Sequence, residues 1–363
     1  MNKPSDQLLL EVRRELHRIP ELGFHEIKTK NYIKKFVSEY ANNFQLVNGG
    51  KGGLIFKKIN KYSNRKKLWR AELDGLPLKD QKTVDYASIN TGRCHSCGHD
   101  AHMSILLLAM KELNKKETPT IYCSFQSGEE VFAGARYQVE YFKKNNIIID
   151  EAYSLHVNPN LALGCISTSN TILLAQSDLF HIILEFPGGH IANGADYTEY
   201  LFLVKTTIEK SLTKGSVVCL TGVTDNAYYN IAPSQLSFNL IIRTKEYSSK
   251  QIFSIVKKII SQKSNSTRIT IQKFPTYKKG INSPNTSAKL SEVTALNNVN
   301  LLFEPFSYSS DDFSFYQDIA TEIHYFFLGC KSEKTSQCHT ESFDIDESCL
   351  KVGLQLCIQL LQK

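Results

Sequence analysis

Apolar residues recur along this chain at two spacings, and the two spacings take turns. Over residues 5–18, Leu8, Leu9, Val12 and Leu16 fall on one face of a 3.6-residue repeat, and Pro20 closes the segment. Residues 27–40 repeat the pattern through Tyr32, Ile33, Phe36 and Val37. Segments 53–59 and 68–73 read as strands, 102–113 as a helix, 120–125 as a continuous apolar strand, 134–144 as a helix and 152–157 as a strand. Strands alternating with helices predict an α/β fold: a mixed, largely parallel sheet covered on both faces.

The order then changes. Segment 179–186 alternates as a half-buried strand, 196–212 is helical, and 216–224 and 235–243 are strands. Segment 248–262 is helical, with Ile252, Ile255, Val256 and Ile259 as its stripe, and 268–274 is a strand. That succession, β-α-β-β-α-β, is the ferredoxin-like split unit. After Pro284 the α/β pattern returns, ending in a helix over 348–361. The expected organisation is therefore one α/β domain from residues 1–176 and 281–363, interrupted by an inserted ferredoxin-like α+β domain over 177–280. A chain of 363 residues suits two domains.

Composition narrows the class without naming it. With 42% apolar and 22% charged residues, the chain is neither disordered nor fibrous. No apolar run approaches the ~20 residues that span a bilayer. The apolar residues 8–10 are broken at once by Glu11, Arg13 and Arg14, unlike a signal peptide. The expected location is cytoplasmic, with no membrane partner. Net charge is +7, and the densest basic run holds seven Lys or Arg between Lys57 and Arg70. It lies between two strand-like segments and reads as a solvated hairpin loop; without interleaved aromatics or a second basic face, nucleic acid is not an expected partner. Nine cysteines, among them Cys123, Cys165, Cys219 and Cys357 in apolar segments, read mostly as buried hydrophobes in a reducing compartment.

Chemistry concentrates in CHSCGHDAH, Cys94 to His102, where imidazole, thiolate and carboxylate stand within nine positions. These are the usual ligands of zinc-like ions. Spacing leaves three readings open. A catalytic metal suits the cluster; a structural zinc knot needs a second pair, and Cys330 with Cys338 and His339 fits that poorly. A thioredoxin-like redox pair would use Cys94 and Cys97. Further on, FQSGEE sets Glu129 and Glu130 directly after strand 120–125, the end of a strand where open α/β sheets bind ligands. Consecutive side chains diverge, so one carboxylate can hold a metal while the other takes a proton. By itself the pair also suits an acidic helix start. Asp74 follows strand 68–73, His156 ends another strand, and His339 stands in a polar loop; a lone histidine is usually structural, but one sheet rim would collect Asp74, Glu129, Glu130 and His156.

Taken in order, RRELHRIPELGFHE, RAELDGLPL, GRCHSCGHDAHM, FQSGEE, LHVNP, GGHIA, NIAPSQLSFNLIIRT, SDDFSFY, FFLG and CHTESFDIDE resemble the metal-dependent N-acyl-amino-acid amidohydrolases. That group includes hippurate, auxin-conjugate and N-acetyldiaminopimelate hydrolases, within the clan of aminoacylases and zinc exopeptidases that carry a dimerisation lid. The resemblance implies that Cys97, His99, Glu130, His156 and His339 hold two divalent ions, zinc or manganese, with cobalt as a further option. It implies that Glu129 is the general base and that Asp74 orients a ligand. It implies that His190 contacts the substrate carbonyl from the lid, across a homodimer, and that Asn230 and Arg243 hold the substrate carboxylate. The expected substrate is a small N-acyl amino acid. A dipeptidase or carboxypeptidase, or an inactive metal-binding protein on the same fold, are the alternatives. Three departures from the family pattern stand out: Glu72 replaces an aspartate, Ser127-Gly128 replaces Pro-Ala, and the segment after His190 lacks a Pro-His.

Overall fold

A computed structural model describes residues 4–131, 134–193, 197–212, 215–264, 266–303, 306–331 and 336–362. The chain divides into two compact units: Met1–Leu173 with Ile281–Pro305 and Asp312–Lys363, and Leu174–Gly280 with Phe306–Asp311.

The first unit is a mixed α/β structure around an eight-stranded sheet. Its strands run Gln45–Asn48, Gly53–Lys58, Thr120–Gln126, Lys66–Glu72, Ile149–Ala162, Ala320–Lys331, Ile166–Thr168 and Leu301–Phe303 across the sheet. Lys66–Glu72 pairs parallel to both Thr120–Gln126 and Ile149–Ala162, which in turn pairs parallel to Ala320–Lys331. The central strands are buried along their length: Leu68, Trp69, Ile121, Cys123 and Phe125 are fully buried, and so are the polar residues Arg70, Glu72 and Gln126.

One expectation fails here. Strands Gly53–Lys58 and Lys66–Glu72 are not a hairpin, and Thr120–Gln126 lies between them, antiparallel to the first and parallel to the second. The basic segment joining them is therefore a crossover, not a hairpin turn. Sequence neighbourhood favours a hairpin, but a strand that is apolar throughout gains more from two sheet neighbours than from an edge.

The helix His99–Leu113 runs through the centre of this unit. Nearly every residue of it is buried, including Ile105, Leu106, Leu107, Leu108 and Met110. It packs on the sheet strand Lys66–Glu72 and against helices Pro4–Arg18 and Cys349–Gln362. An element covered all round carries apolar residues all round rather than on one stripe, which is why its periodicity is weak.

The second unit is a four-stranded antiparallel sheet, ordered Ser216–Asp225, Gln235–Thr244, Gln176–Glu185 and Arg268–Lys273, with helices Tyr197–Ser211 and Ser249–Lys263. Gln176–Glu185 and Gln235–Thr244 alternate residue by residue between buried and half-buried positions. Phe180, Ile182, Leu184, Phe238, Leu240 and Ile242 meet Val204, Ile208, Ile252 and Val256 from the two helices. Helix Ser249–Lys263 opens on a capping box: Ser248 accepts from the Gln251 N–H, and the Gln251 side chain accepts from the Ser248 N–H. Cys219 stands exposed on the outer strand and Cys165 is half-buried, so the expectation of burial holds for Cys123 and Cys357 but not for these two. Asp196, expected to open a helix, lies outside the described residues.

Candidate metal centre

Three parallel strands carry the site. Asp74 follows Lys66–Glu72, Glu129 and Glu130 follow Thr120–Gln126, and His156 stands within Ile149–Ala162. Parallel strands present their C-terminal ends on one rim, so the four side chains meet there. Asp74 lies beneath the glutamate turn: its carboxylate accepts the Glu129 N–H at 3.2 Å and the Glu130 N–H at 2.9 Å. Gly128 bends that turn at φ +65°, and a Cβ there would meet the Phe24 ring at 2.7 Å. Only glycine allows both the angle and the approach.

Cys97 and His99 arrive from the other side, on the loop that opens helix His99–Leu113. Gly98 between them has φ +84°, and a Cβ on it would lie 2.3 Å from the Val157 side chain. The glycine thus turns the thiol and the imidazole toward the same point. His339 joins from the loop before the last helix. Its backbone is left-handed, φ +62°, and its N–H donates to the Ser96 carbonyl at 2.7 Å. A non-glycine residue held there at a cost of about 1–3 kcal/mol is a common mark of a functional position.

The donor atoms form three overlapping groups, each within 4.8 Å: Cys97 with His99 and His156, Cys97 with Glu130 and His339, and His99 with Glu129 and Glu130. Cys97 Sγ lies 3.3 Å from Nε2 of both His156 and His339. The sulfur belongs to two of these groups.

The imidazoles are already set for coordination. His99 Nδ1 donates to the Asp74 carbonyl at 2.8 Å, and His156 Nδ1 donates to the Val157 carbonyl at 2.8 Å. In each ring that turns Nε2 toward the cluster, the usual outer arrangement around a metal-binding histidine. His99 Nε2 and Glu130 Oε1 are buried without a hydrogen bond; Glu130 Oε1 comes within 3.2 Å of His339 Nε2 but is not aligned with it. Orphaned acceptors beside a thiol are what a cation would satisfy.

The electrostatics agree. Burial works against a charged His99, yet Asp74, Glu72 and Glu130 outweigh it and raise its pKa to about 10. His156 goes the other way: burial and the neighbouring His102 push it down to about 3, so it stands neutral. Burial opposes ionisation of Glu130, but His339 and His99 bring its carboxyl below the ordinary range. The residues thus fit a divalent-metal site by donor type, tautomer and charge.

Two supporting networks escaped the sequence reading. His102 donates from Nδ1 to Glu72 at 2.8 Å and accepts the Val157 N–H on Nε2 at 3.0 Å. Both its nitrogens are taken, so it orients the neighbourhood of His156 rather than binding an ion. Glu72 in turn pairs with Arg70, which also holds Asp312 at 2.6 Å. The second network is centred on Arg13. Its guanidinium reaches Asp100 at 2.8 Å, Asp344 at 2.7 Å and Glu347 at 3.1 Å. His17 Nδ1 adds a bond to the same Asp100 oxygen at 2.7 Å. Arg13 thereby ties the segment bearing His99 to the segment that follows His339. The sequence signal was present in RRELHR, but only as polar residues interrupting an amphipathic helix.

The remaining expected residues lie in the second unit. His190 is exposed on the short strand Gly189–His190, which pairs antiparallel with Ile231–Ala232. The Ala192 N–H donates to His190 Nδ1 at 3.1 Å, which leaves the proton on Nε2 and makes that atom a donor. Asn230 is adjacent: its carbonyl accepts the Ile191 N–H at 2.8 Å. Arg243, on Gln235–Thr244, donates from Nη1 to the Tyr308 carbonyl at 3.1 Å. The structure therefore groups His190 with Asn230 on one ribbon and groups the other seven candidates in the first unit.

Known proteins share this arrangement of chain. Residues 68–363 match the peptidase family M20/M25/M40. The chain is 26% identical to the N-acetylcysteine deacetylase of Bacillus subtilis over 97% of its own length and 95% of that protein's. It is 36% identical to the N-acetyldiaminopimelate deacetylase of Oceanobacillus iheyensis over 51% of its own length, an alignment spanning about half the length of that relative, 50%. Among solved structures, a putative aminohydrolase from methicillin-resistant Staphylococcus aureus superposes with a TM-score of 0.84 at 20% identity, covering 98% of this chain and 95% of that one. The YxeP protein of Bacillus subtilis, a dinuclear metal-binding peptidase, superposes with a TM-score of 0.80 at 24% identity, covering 99% and 98%. The chain belongs to the peptidase family M20/M25/M40.

Proposed function

We propose that the protein is a metal-dependent amidohydrolase that cleaves the amide bond of N-acyl amino acids, releasing a carboxylate and a free amino acid. The observation that carries this reading is the convergence of Cys97, His99, Glu130, His156 and His339 beside a second carboxylate, Glu129, at the sheet rim. The deacetylase relatives support the amide bond and the acyl amino acid. The dinuclear relative supports two divalent ions, for which the thiolate and imidazoles favour zinc, with manganese and cobalt as rivals.

When bound, the two cations would acidify water and polarise the scissile carbonyl. Glu129 takes the proton from the attacking water and returns it to the leaving amine. Asp74 fixes His99 through its carbonyl and the glutamate turn through its carboxylate, so ligand and base keep one spacing. The second unit has the strand order of a ferredoxin-like fold, and we assign residues 177–280 as a lid and dimerisation domain. His190, with its proton on Nε2, donates to the developing oxyanion, and Asn230 and Arg243 receive the substrate carboxylate, Arg243 through its planar fork. A homodimer supplies His190 from the neighbouring lid.

The test is hydrolysis by zinc- or manganese-loaded protein of acetyl, benzoyl and longer acyl amino acids, N-acetyldiaminopimelate and N-acetylcysteine included, beside a panel of dipeptides. Faster turnover of the dipeptides would favour the peptidase reading, which the YxeP neighbour also supports. No turnover of either class by metal-loaded protein would overturn both.

A further inference from the structure

Cys338 has no part in the chemistry above, yet it stands against the centre of the site. It lies beside Cys97 across one backbone hydrogen bond. The backbone explains the meeting: the His339 N–H donates to the Ser96 carbonyl, which brings the residue before His339 beside the residue after Ser96. Cys94, the partner that the C-x-x-C spacing suggests, is engaged elsewhere. Its backbone bridges to Leu76. All nine cysteines are unpaired, so Cys97 and Cys338 are both free thiols.

Two residues that face one another across a backbone hydrogen bond in this way lie near the Cα separation that a disulfide spans. We propose that Cys97 and Cys338 form a reversible disulfide, a redox modification site that takes one metal donor out of service. A peroxide is the oxidant. The thiolate of one cysteine attacks a peroxide oxygen, the O–O bond breaks, and a sulfenic acid and one water form. The second thiol attacks that sulfur, the S–S bond forms, and a second water leaves. Two thiols lose two electrons and two protons in all, and one hydrogen peroxide becomes two waters.

The consequences follow from position. Cys97 in a disulfide has no thiolate to offer, and both donor groups that share its sulfur lose their common member. The sheet does not depend on either side chain, so the fold persists. The disulfide also stops Cys97 from proceeding to sulfinic acid, which is irreversible. A bound ion would shield the sulfur and slow the reaction.

The experiment uses full-length protein, without substrate, so its failure and that of the hydrolase reading are distinguishable. Metal is removed by chelation, hydrogen peroxide is added, thiols are trapped by alkylation and cross-linked peptides are mapped by mass spectrometry. Zinc binding is measured before oxidation, after it, and after dithiothreitol. The expected result is loss of two thiols per chain, a Cys97–Cys338 link, loss of zinc binding and its recovery on reduction, with zinc-loaded protein oxidising more slowly. Cys338→Ser, with Cys338→Ala as a second variant, should bind zinc normally at the start. After peroxide each should lose zinc binding without recovery on reduction. Cys94→Ser should behave as wild type. A Cys94–Cys97 link, equal recovery in both Cys338 variants, or equal oxidation rates with and without zinc would overturn the proposal.

Discussion

The two units bury different things. The interior of the second is mostly apolar: Phe180, Phe238, Leu240, Ile242 and Ile252 fill it, Asp178 is buried there beside Ser249 and Thr276, and its candidate histidine stands outside on a ribbon. The first buries Arg13, Arg70, Glu72, Asp74, Asp100 and Asp312, all essentially inaccessible. Such charges cost several kcal/mol each to remove from water and persist only when paired. Each of them is paired: Arg13 with Asp100, Arg70 with Glu72 and Asp312, and Asp74 with the Glu129 and Glu130 N–H groups. The difference teaches where precision is needed: an apolar core suffices to hold a shape, whereas fixing five donor atoms requires bonds with direction.

The sharpest test of that contrast acts on chemistry alone. Glu129→Gln keeps shape and removes the proposed base; turnover should fall by ~10²–10⁴ while elemental analysis still finds the metal content of wild type. Retained activity would remove Glu129 from its role.

Next in size is the Arg13 brace. Arg13→Ala leaves Asp100, Asp344 and Glu347 without their common partner, and breaking a buried pair costs about 3–5 kcal/mol. Chemical denaturation should show that loss, and metal should leave the variant at lower chelator concentration. A variant as stable and as metal-retentive as wild type would mean that the brace does nothing for the site.

The second unit predicts the opposite profile. His190→Ala lies on an exposed ribbon, so stability and metal content should hold, while kcat falls ~10²–10³ through the lost donor. Mixing His190→Ala with Glu129→Gln and letting subunits exchange should restore one working site in some mixed dimers if the histidine acts across the interface. No recovery despite proven exchange would place its action within its own chain.

Metal affinity should depend on pH, with a sign set by His99. Its raised pKa, about 10, means that a proton must leave before an ion binds, so affinity should rise by about tenfold per pH unit for each proton displaced as pH rises toward 10, and level off above it. In metal-free protein the same proton stabilises the fold. Its contribution is complete below the unfolded pKa of ~6.5 and is lost as pH rises through about 10. His156, neutral above about 3, should add no slope in that range. Calorimetric titrations of metal at several pH values would check both signs.

The smallest effect tests the apolar half. Ile242→Val should cost about 0.5–1.5 kcal/mol, with no change in metal content. Metal loss in that variant would contradict the division drawn between the two interiors.

Much of this was legible in the chain. The 3.6-residue stripe of residues 5–18, the strict alternation of 179–186 and the apolar run at 120–125 each report their own burial, because periodicity is a property of neighbours. Cys97, His99, Glu129 and Glu130 were conspicuous because ligand and base chemistry uses few residue types. Tertiary structure alone decided what distant segments meet. It inserted Thr120–Gln126 between two strands that the sequence suggested would pair, because an apolar strand needs neighbours on both edges. It took Arg13 from an amphipathic helix and made it the tie between the His99 and His339 segments, since a buried cation must sit where carboxylates converge. It chose the tautomers of His99 and His156 through carbonyls that no spacing rule identifies. It set Cys338, rather than the near Cys94, against Cys97, because one hydrogen bond between backbones outweighs two hundred and forty-one residues of separation between the cysteines.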